Sequence, residues 1–331
     1  MQKQTVAFSR DSSNLFFHIL TKCNLSCTHC YINTEQHGTN TLDIETIKTW
    51  LNLFSDKAAT TNLIYLGGEP TLHPDLSLAV KSAKKIGFKS ITIDTNGYLF
   101  HDILNKISSN DIDFLSFSLD GATRKTNDAI RGEGSFDKVM DGLQKAGNRH
   151  FLCSMIYTVS DKNIHELKLM PKLVSGLGIK RFFIQVIGMR GASSGAKKYL
   201  QVSRDSWLEI IPQVAASIAD QGIAVTYPKV FLNREEIFEC AGNVAQNYFV
   251  FPNGRVYQCP ICEDFSLHSY IIKENRLIPM PKINESDLFS LTIAEGCVMN
   301  KIIQPQNLSY DKNGMPEYRI ACCMLKEEIF K

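Results

Sequence analysis

The sequence predicts an α/β protein: a parallel sheet, open or curled into part of a barrel, followed by a small irregular α+β domain. Three observations carry this. Strand-like runs alternate with amphipathic helical stretches from residue 14 to about 187. The alternation stops at a Gly/Ser-rich stretch, 188–198. The ten cysteines gather toward the two ends of the chain, with Cys153 alone between them.

In chain order, the strand candidates are 15–20, 63–66, 90–93, 114–119, 151–159 and 182–187. Helix candidates lie between them near 43–56, 75–87, 100–108, 136–148 and 163–176. Asp43 and Ser135 stand where N-caps belong, and Gly87 and Gly147 stand where helices end. Six strands joined by crossover helices dictate a parallel sheet, and ligands of such sheets bind at the strands' carboxyl ends. Beyond the 188–198 loop a helix is expected near 204–220. Asn253-Gly254 then sits between two apolar alternating runs, which is a hairpin signal. The expected division is a core over 1–224, with 188–224 as a connecting region, and a second domain over 225–331.

Composition narrows the function classes. A chain of 331 residues, 44% hydrophobic and 21% charged, buries a sizeable core and fits roughly two domains of about 150 residues. Its formal charge is +2, from 36 basic and 34 acidic residues without a basic block, so neither nucleic acid nor a membrane surface is an expected partner. The polar N-terminus is no signal peptide and no apolar run reaches the roughly 18 residues of a membrane span, so a cytoplasmic location is expected. In a reducing compartment the cysteines serve metal binding, redox chemistry or burial. Cys153, alone in a strand, reads as a small buried hydrophobe.

Cys23, Cys27 and Cys30 have the spacing C-x3-C-x2-C, in a loop just after the first strand. Three thiolates on one short loop can grip three irons of a [4Fe–4S] cube and leave the fourth iron open as a binding site. Two alternatives are a zinc site completed by His29 or His37, and a thioredoxin-like pair formed by Cys27 and Cys30. The second strand runs into Gly67-Gly68-Glu69-Pro70, where glycines permit close approach of a ligand to backbone. The third ends in Asp94-Thr95-Asn96-Gly97, which an ordinary turn could also explain. The fourth leads into Ser118-Leu119-Asp120-Gly121, followed by Arg131-Gly132-Glu133-Gly134-Ser135-Phe136. No G-x-G-x-x-G occurs, which argues against a dinucleotide-binding dehydrogenase.

Over at least residues 15–187 these motifs resemble the radical SAM superfamily, whose signature is C-x3-C-x-Φ-C with Φ usually aromatic, here His29. The resemblance implies a partial (β/α)6 radical SAM barrel. It also implies S-adenosylmethionine (SAM) chelated to the open iron, reductive cleavage to a 5′-deoxyadenosyl radical, and hydrogen abstraction from a substrate. The cofactor-binding residues it implies are His29, Gly67, Gly68, Glu69, Pro70, Asn96, Ser118 and Arg131. Gly67 to Pro70 correspond to the family motif that contacts the methionine amino group, and Asn96 to a position that binds substrate or ribose. Ser118 and Arg131 are candidates for the ribose and carboxylate, since a guanidinium fork matches a carboxylate; the alternative for Arg131 is a solvated surface arginine.

Cys240, then Gly254 after thirteen residues, Cys259 after four more, and Cys262 resemble the opening of the SPASM/twitch domains that follow some radical SAM cores and hold auxiliary [4Fe–4S] clusters. A thioredoxin-type C-P-I-C is the rival reading of Cys259 to Cys262, but that needs a helix start. The rest of the SPASM pattern is absent. Two fully ligated clusters need eight thiolates and this region has six, so one auxiliary cluster is expected, on Cys240, Cys259, Cys262 and one of Cys297, Cys322 and Cys323.

The expected function is a radical SAM enzyme acting on a ribosomally made peptide, with a small-molecule metabolite as the alternative. Its partners would be an electron donor such as flavodoxin or ferredoxin and, because only 22 residues precede Cys23, either a separate carrier for the peptide or direct docking of the peptide in the barrel mouth. A non-catalytic iron–sulfur or zinc scaffold, and a thiol oxidoreductase, are the rival classes.

Overall fold

The structure is a computed structural model that describes residues 1–196 and 200–331. Its strands are β1 (Gln2–Val6), β2 (Ser13–His18), β3 (Thr61–Leu66), β4 (Ser90–Thr95), β5 (Phe114–Ser118), β6 (Cys153–Val159), β7 (Arg181–Val186), β8 (Ala224–Pro228), β9 (Phe231–Leu232), β10 (Gln246–Val250), β11 (Arg255–Tyr257), β12 (Tyr270–Lys273), β13 (Arg276–Pro279), β14 (Arg319–Ile320) and β15 (Lys326–Phe330). Among the described residues, thirteen of them form one sheet in the order β1-β15-β8-β7-β6-β5-β4-β3-β2-β10-β11-β12-β13. All six expected strands, β2 to β7, are present and parallel. The radical SAM-type α/β barrel expected from the sequence is therefore the architecture observed.

The parallel array extends past the expected six at both ends. β8 lies parallel to β7, and the expected division at 224/225 falls on its first residues. At the other edge β10 adds parallel to β2, with Gln246 opposite Ser13 and Val250 opposite Phe17. The 225–331 region thus continues the sheet past β2, through the hairpin β10–β11 that turns at Gly254 (φ 86°). It also closes the opposite edge, where β15 pairs antiparallel with β8 and β1.

The two faces of the array are unequal. Leu15, Phe17, Leu63, Tyr65, Ile91, Ile93, Leu115, Phe117, Met155 and Tyr157 are buried against the helices. Burying such a side chain contributes about 1.5–3 kcal/mol, so this side holds the layers together. The alternate residues Phe16, Ile64, Thr92, Asp94, Ser118, Ile156 and Phe183 face inward and keep accessible surface. A closed eight-stranded barrel fills its interior with side chains; here the residues on the inner side, the lumen, keep accessible surface.

Local signals match the structure with two exceptions. Asp43 caps the helix Ile44–Asn52 through the Thr46 N–H, and Gly87 (φ 91°) ends Leu76–Ile86. Ser135, expected as a cap, is the first helical residue of Ser135–Asn148; Asp128 does the capping from outside, accepting from the Gly134 and Phe136 N–H groups. Gly147 stays inside that helix, and His150 (φ 62°) takes the left-handed position after it. The expected 188–198 loop contains a short 3-10 turn, Gly191–Ala196, and its residues 197 and 198 lie outside the described residues. Among the described residues no helix is long and apolar enough to cross a membrane.

Candidate active site

The cysteine loop leaves β2 and crosses the carboxyl ends of the neighbouring strands. Two glycines let it do so. A Cβ on Gly67 would stand 2.5 Å from the Leu20 carbonyl oxygen, and one on Gly68 2.4 Å from that of Lys22. With no side chain there, the Gly68 N–H donates to Leu20 O (3.1 Å) and the Glu69 N–H to Lys22 O (3.0 Å), pinning the chain just before Cys23. On the far side Gly191 packs against the Cys30 carbonyl, which accepts the Ala192 N–H at 2.8 Å.

Glu69 is 1% exposed. Its Oε1 accepts from the Thr71 N–H and from the hydroxyls of Thr71 and Thr95, and its Oε2 from the Asn96 N–H. Burial raises its pKa and these bonds oppose the rise. Glu69 therefore ties the end of β3 to the end of β4, with Pro70 starting the turn Pro70–Leu72 beside it. Asn96, held by Glu69, donates to Asn24 Oδ1 (2.8 Å) and reaches Cys23 Sγ at 3.8 Å.

A buried charged group stands on the opposite side of the loop. Asp120, fully buried, places Oδ2 2.6 Å from Arg131 Nε and 3.1 Å from His29 Nε2, while Oδ1 accepts the Thr158 N–H at 2.7 Å. Burial alone would raise its pKa, but the charges of Arg131 and His29 outweigh that and hold it at about 2. Arg131 is 8% exposed, which excludes a surface arginine. Its backbone carbonyl accepts the Cys27 thiol at 3.7 Å, and the Thr28 N–H donates to Ile130 O at 2.9 Å. Ser118 ends β5 on the lumen face, beside this group.

Cys23, Cys27 and Cys30 face one another closely enough that Cys30 raises the pKa of Cys23, and Cys30 and Cys23 raise that of Cys27. Burial is the larger cause, taking Cys27 to about 11, while Arg131 favours the thiolates of Cys27 and Cys30 and Arg190 also that of Cys30. Among the described residues no three His, Cys, Asp or Glu side chains form a single-ion metal site. His29 is turned to Asp120, and His37 is buried between Asn33 N–H and Glu263 O, so neither completes a zinc site. Three convergent thiols with guanidinium groups behind them fit an anionic iron–sulfur cube that leaves one iron to another ligand. Asp120 stands in the Ser-Leu-Asp-Gly motif but has no role in the sequence pattern; its place after a strand-end Ser-Leu and eleven residues before an Arg is the signal for it.

The second cysteine group is assembled from four segments. Cys240 precedes the short helix Ala241–Val244, Cys259 and Cys262 follow β11, Cys297 precedes Val298–Ile303, and Cys322 and Cys323 follow β14. Cys240, Cys259, Cys297, Cys322 and Cys323 line one cavity with an otherwise apolar wall. Cys262 is 1% exposed, and its thiol meets that of Cys259. Burial pushes the Cys297 thiol up to about 12. Cys240 and Cys323 hydrogen-bond Cys322 and stabilise its thiolate, holding its pKa well below the ordinary value. Glu285 fixes the Cys259 turn by accepting the N–H groups of Gln258 (2.6 Å), Cys259 (3.1 Å) and Ser269 (3.1 Å). Lone Cys153 is 4% exposed in β6, as its sequence context suggested.

The two groups are joined by packed aromatic rings. Phe251 stacks against His18 (4.0 Å) and His37 (3.9 Å); His18 Nε2 bonds the Tyr31 hydroxyl at 2.7 Å. Arg190 lies over the Tyr31 ring at 4.8 Å and forms an ion pair with Glu263.

Residues 18–174 match the radical SAM superfamily. A probable GTP 3′,8-cyclase of Saccharolobus solfataricus is 26% identical over 178 residues, 54% of this chain and 58% of that protein. The Fe-coproporphyrin III synthase of Methanosarcina barkeri is 28% identical over 191 residues, 56% of this chain and 47% of that one. The chain thus spans only about half the length of these curated relatives. Among solved structures, Streptococcus suis SuiB bound to the precursor peptide SuiA superposes with a TM-score of 0.67 at 13% identity, covering 89% of this chain and 73% of SuiB. Native anSMEcpe with bound AdoMet gives 0.63 at 16% identity, covering 88% of each. At such identities these likenesses speak to the fold. The part of the chain that matches the radical SAM superfamily, residues 18–174, holds the three-cysteine loop, the Gly67-Gly68 turn, Asp120 and Arg131.

Proposed function

We propose that this chain holds a [4Fe–4S] cluster on Cys23, Cys27 and Cys30, binds SAM over the strand ends, and abstracts hydrogen from a substrate in the lumen. The observation that carries the reading is the convergence of those three thiols, with no fourth among the described residues of the loop, beside the Gly67-Gly68 turn. When bound, cluster and SAM supply a one-electron cleavage of the sulfonium and a carbon radical that takes hydrogen. The chain's own residues do the rest. Arg131 is fixed through Nε by Asp120, which leaves its terminal nitrogens to bind the SAM carboxylate. Gly67 and Gly68 offer backbone without side chains, Asn96 and Ser118 offer polar atoms at adjacent strand ends, and His29 is oriented by Asp120. An electron donor such as flavodoxin or ferredoxin is required. An auxiliary [4Fe–4S] cluster on Cys240, Cys259, Cys262 and one of Cys297, Cys322 and Cys323 belongs to this reading, and so does the division into core and SPASM/twitch-like region.

The substrate we propose is a ribosomally made peptide, supported by the fold likeness to SuiB, solved with a precursor peptide over most of this chain's length. A small molecule is the second reading, favoured by the names of the sequence relatives. The test is anaerobic reconstitution, iron analysis and a search for 5′-deoxyadenosine after adding SAM and reductant; absence of 5′-deoxyadenosine from iron-loaded protein overturns the proposal. Fractionated extract from cells grown in deuterium then separates the substrates. Deuterium reaching 5′-deoxyadenosine only from the low-mass fraction excludes the peptide.

A further inference from the structure

Three lumen-facing side chains remain outside the roles assigned above. Asp94, Ser116 and Ser154 sit side by side across β4, β5 and β6: Asp94 is in register with Ser116, and Ser116 with Ser154. Their strand neighbours Ile93, Leu115, Phe117, Cys153 and Met155 all pack outward into the helix-side core, so by alternation these three face the lumen. Ser116 and Ser154 are each 1% exposed; the Ser116 hydroxyl meets only the Asp94 carboxylate, and the Ser154 hydroxyl has no hydrogen-bond partner among the described residues. A buried polar atom without a partner costs about 1–3 kcal/mol, so a native site that keeps the Ser154 hydroxyl open beside a carboxylate needs an explanation.

Asp94 supplies the charge. Its carboxylate lies deep, at the Ser116 hydroxyl, yet retains accessible surface, and among the described residues no Lys, Arg or His pairs with it. The cation of the same row, Arg181 opposite Ser154, is laid on the Phe114 ring at 4.2 Å. Burial pushes the Asp94 pKa up to about 7. A buried carboxylate is ordinarily paired, and this one has its cation missing.

We infer that Asp94, with Ser116 and Ser154, is a specificity site that binds a cationic nitrogen of the substrate, an alkylammonium or guanidinium group. Its depth separates it from the SAM residues. Asp94 precedes Asn96, the residue that touches Cys23, by two residues of extended chain, about 6.6 Å down the lumen. A positive group there satisfies the carboxylate, and its N–H donors reach the two serine hydroxyls. The inference rests on the proposed function for the word substrate, but the site itself does not need the clusters.

The test uses purified full chain and simple probes: n-butylammonium and guanidinium, against neutral n-butanol, by calorimetry at pH 8. The cations bind, n-butanol does not, and Asp94→Asn weakens cation binding about tenfold or more while Asp94→Glu restores part of it. Circular dichroism checks that both variants fold; should Asp94→Asn fail to fold, Ser116→Ala with Ser154→Ala serves, with a smaller loss expected. Equal affinity for cation and n-butanol, no cation binding, or binding indifferent to Asp94 overturns the inference. A parallel loss of SAM affinity in Asp94→Asn, by the same factor as the amine, assigns the carboxylate to the SAM ammonium and also overturns it. If wild type binds amines through Asp94 yet makes no 5′-deoxyadenosine when iron-loaded, the proposed function fails and this site stands.

Discussion

Cys23, Cys27 and Cys30 occupy one turn of chain that the sheet's strand ends hold in place, whereas the other group draws its thiols from Cys240, Cys259, Cys297 and the Cys322-Cys323 pair across four segments. The first group sits beside ionised partners, Asp120 and Arg131; the second sits in an apolar cavity whose nearby acids, Glu263 and Glu285, have pKa values pushed up to about 7 by burial. A site on one loop depends on local hydrogen bonds and a fixed charge. A site pooled from four segments depends on the folding of everything between them.

The comparison is broken most directly by removing thiols. Replacing Cys23, Cys27 and Cys30 with alanine is expected to abolish 5′-deoxyadenosine formation and to halve iron from about eight to about four per chain. Replacing Cys240 and Cys259 with alanine is expected to halve iron as well, while the remaining cluster's electron paramagnetic resonance signal still responds to SAM. A triple variant that still makes 5′-deoxyadenosine, or a double variant that keeps all its iron, would falsify the assignment.

Charge removal should be unequal too. Arg131→Met strands an ionised, fully buried Asp120, and a broken buried pair costs about 3–5 kcal/mol, readable by urea unfolding. Arg190→Met leaves Glu263, which takes up a proton near pH 7, so its cost should be visibly smaller. Equal losses would show that the two regions do not differ in this respect.

The pH profiles run in opposite senses. Asp120 is held at about 2, below its ordinary 3.8, so it contributes stability above about pH 4 that is lost as pH falls toward 2, about 2 kcal/mol in all. Glu263 is raised from 4.5 to about 7, so its folded form keeps the proton longer and stability declines as pH rises from 4.5 through 7. Melting temperature of the metal-free protein against pH should show both limbs, and Glu263→Gln should flatten only the upper one.

The finest distinction uses glycines. Gly68→Ala drives a Cβ to 2.4 Å from the Lys22 carbonyl, and Gly242→Ala drives one to 2.4 Å from the Phe289 ring. Each should cost about 1–3 kcal/mol. The first is expected to lower iron at the loop, the second iron at the pooled site, and spectroscopy that found both clusters reduced alike would blur the line between them.

What the sequence revealed divides along the same boundary. The six strands and the cysteine loop were legible because their signals are local: period-two runs, a cap at Asp43, glycines at a strand end. Ser135 misled because its helix is capped by Asp128, seven residues upstream, through a fold of the chain that no local pattern encodes. The parallel pairing of β10 with β2 was invisible for the same reason, since nothing in Gln246–Val250 names its partner. Asp120 stands in the Ser-Leu-Asp-Gly motif, but its ion pair with His29 needs two strand ends brought together. The late cysteines could be counted and not sorted, because their arrangement is set by tertiary packing around one cavity.

The β2–β10 pairing also orders events during synthesis. Ser13 must wait for Gln246, and a ribosome adding about 5–20 residues per second needs roughly ten to fifty seconds to supply it. For that interval β2 presents an unpaired edge directly beneath the cysteine loop, and the nascent chain carries its first three thiols on a half-built support. Any factor that shields open strand edges, or that delivers iron early, meets this protein in that window.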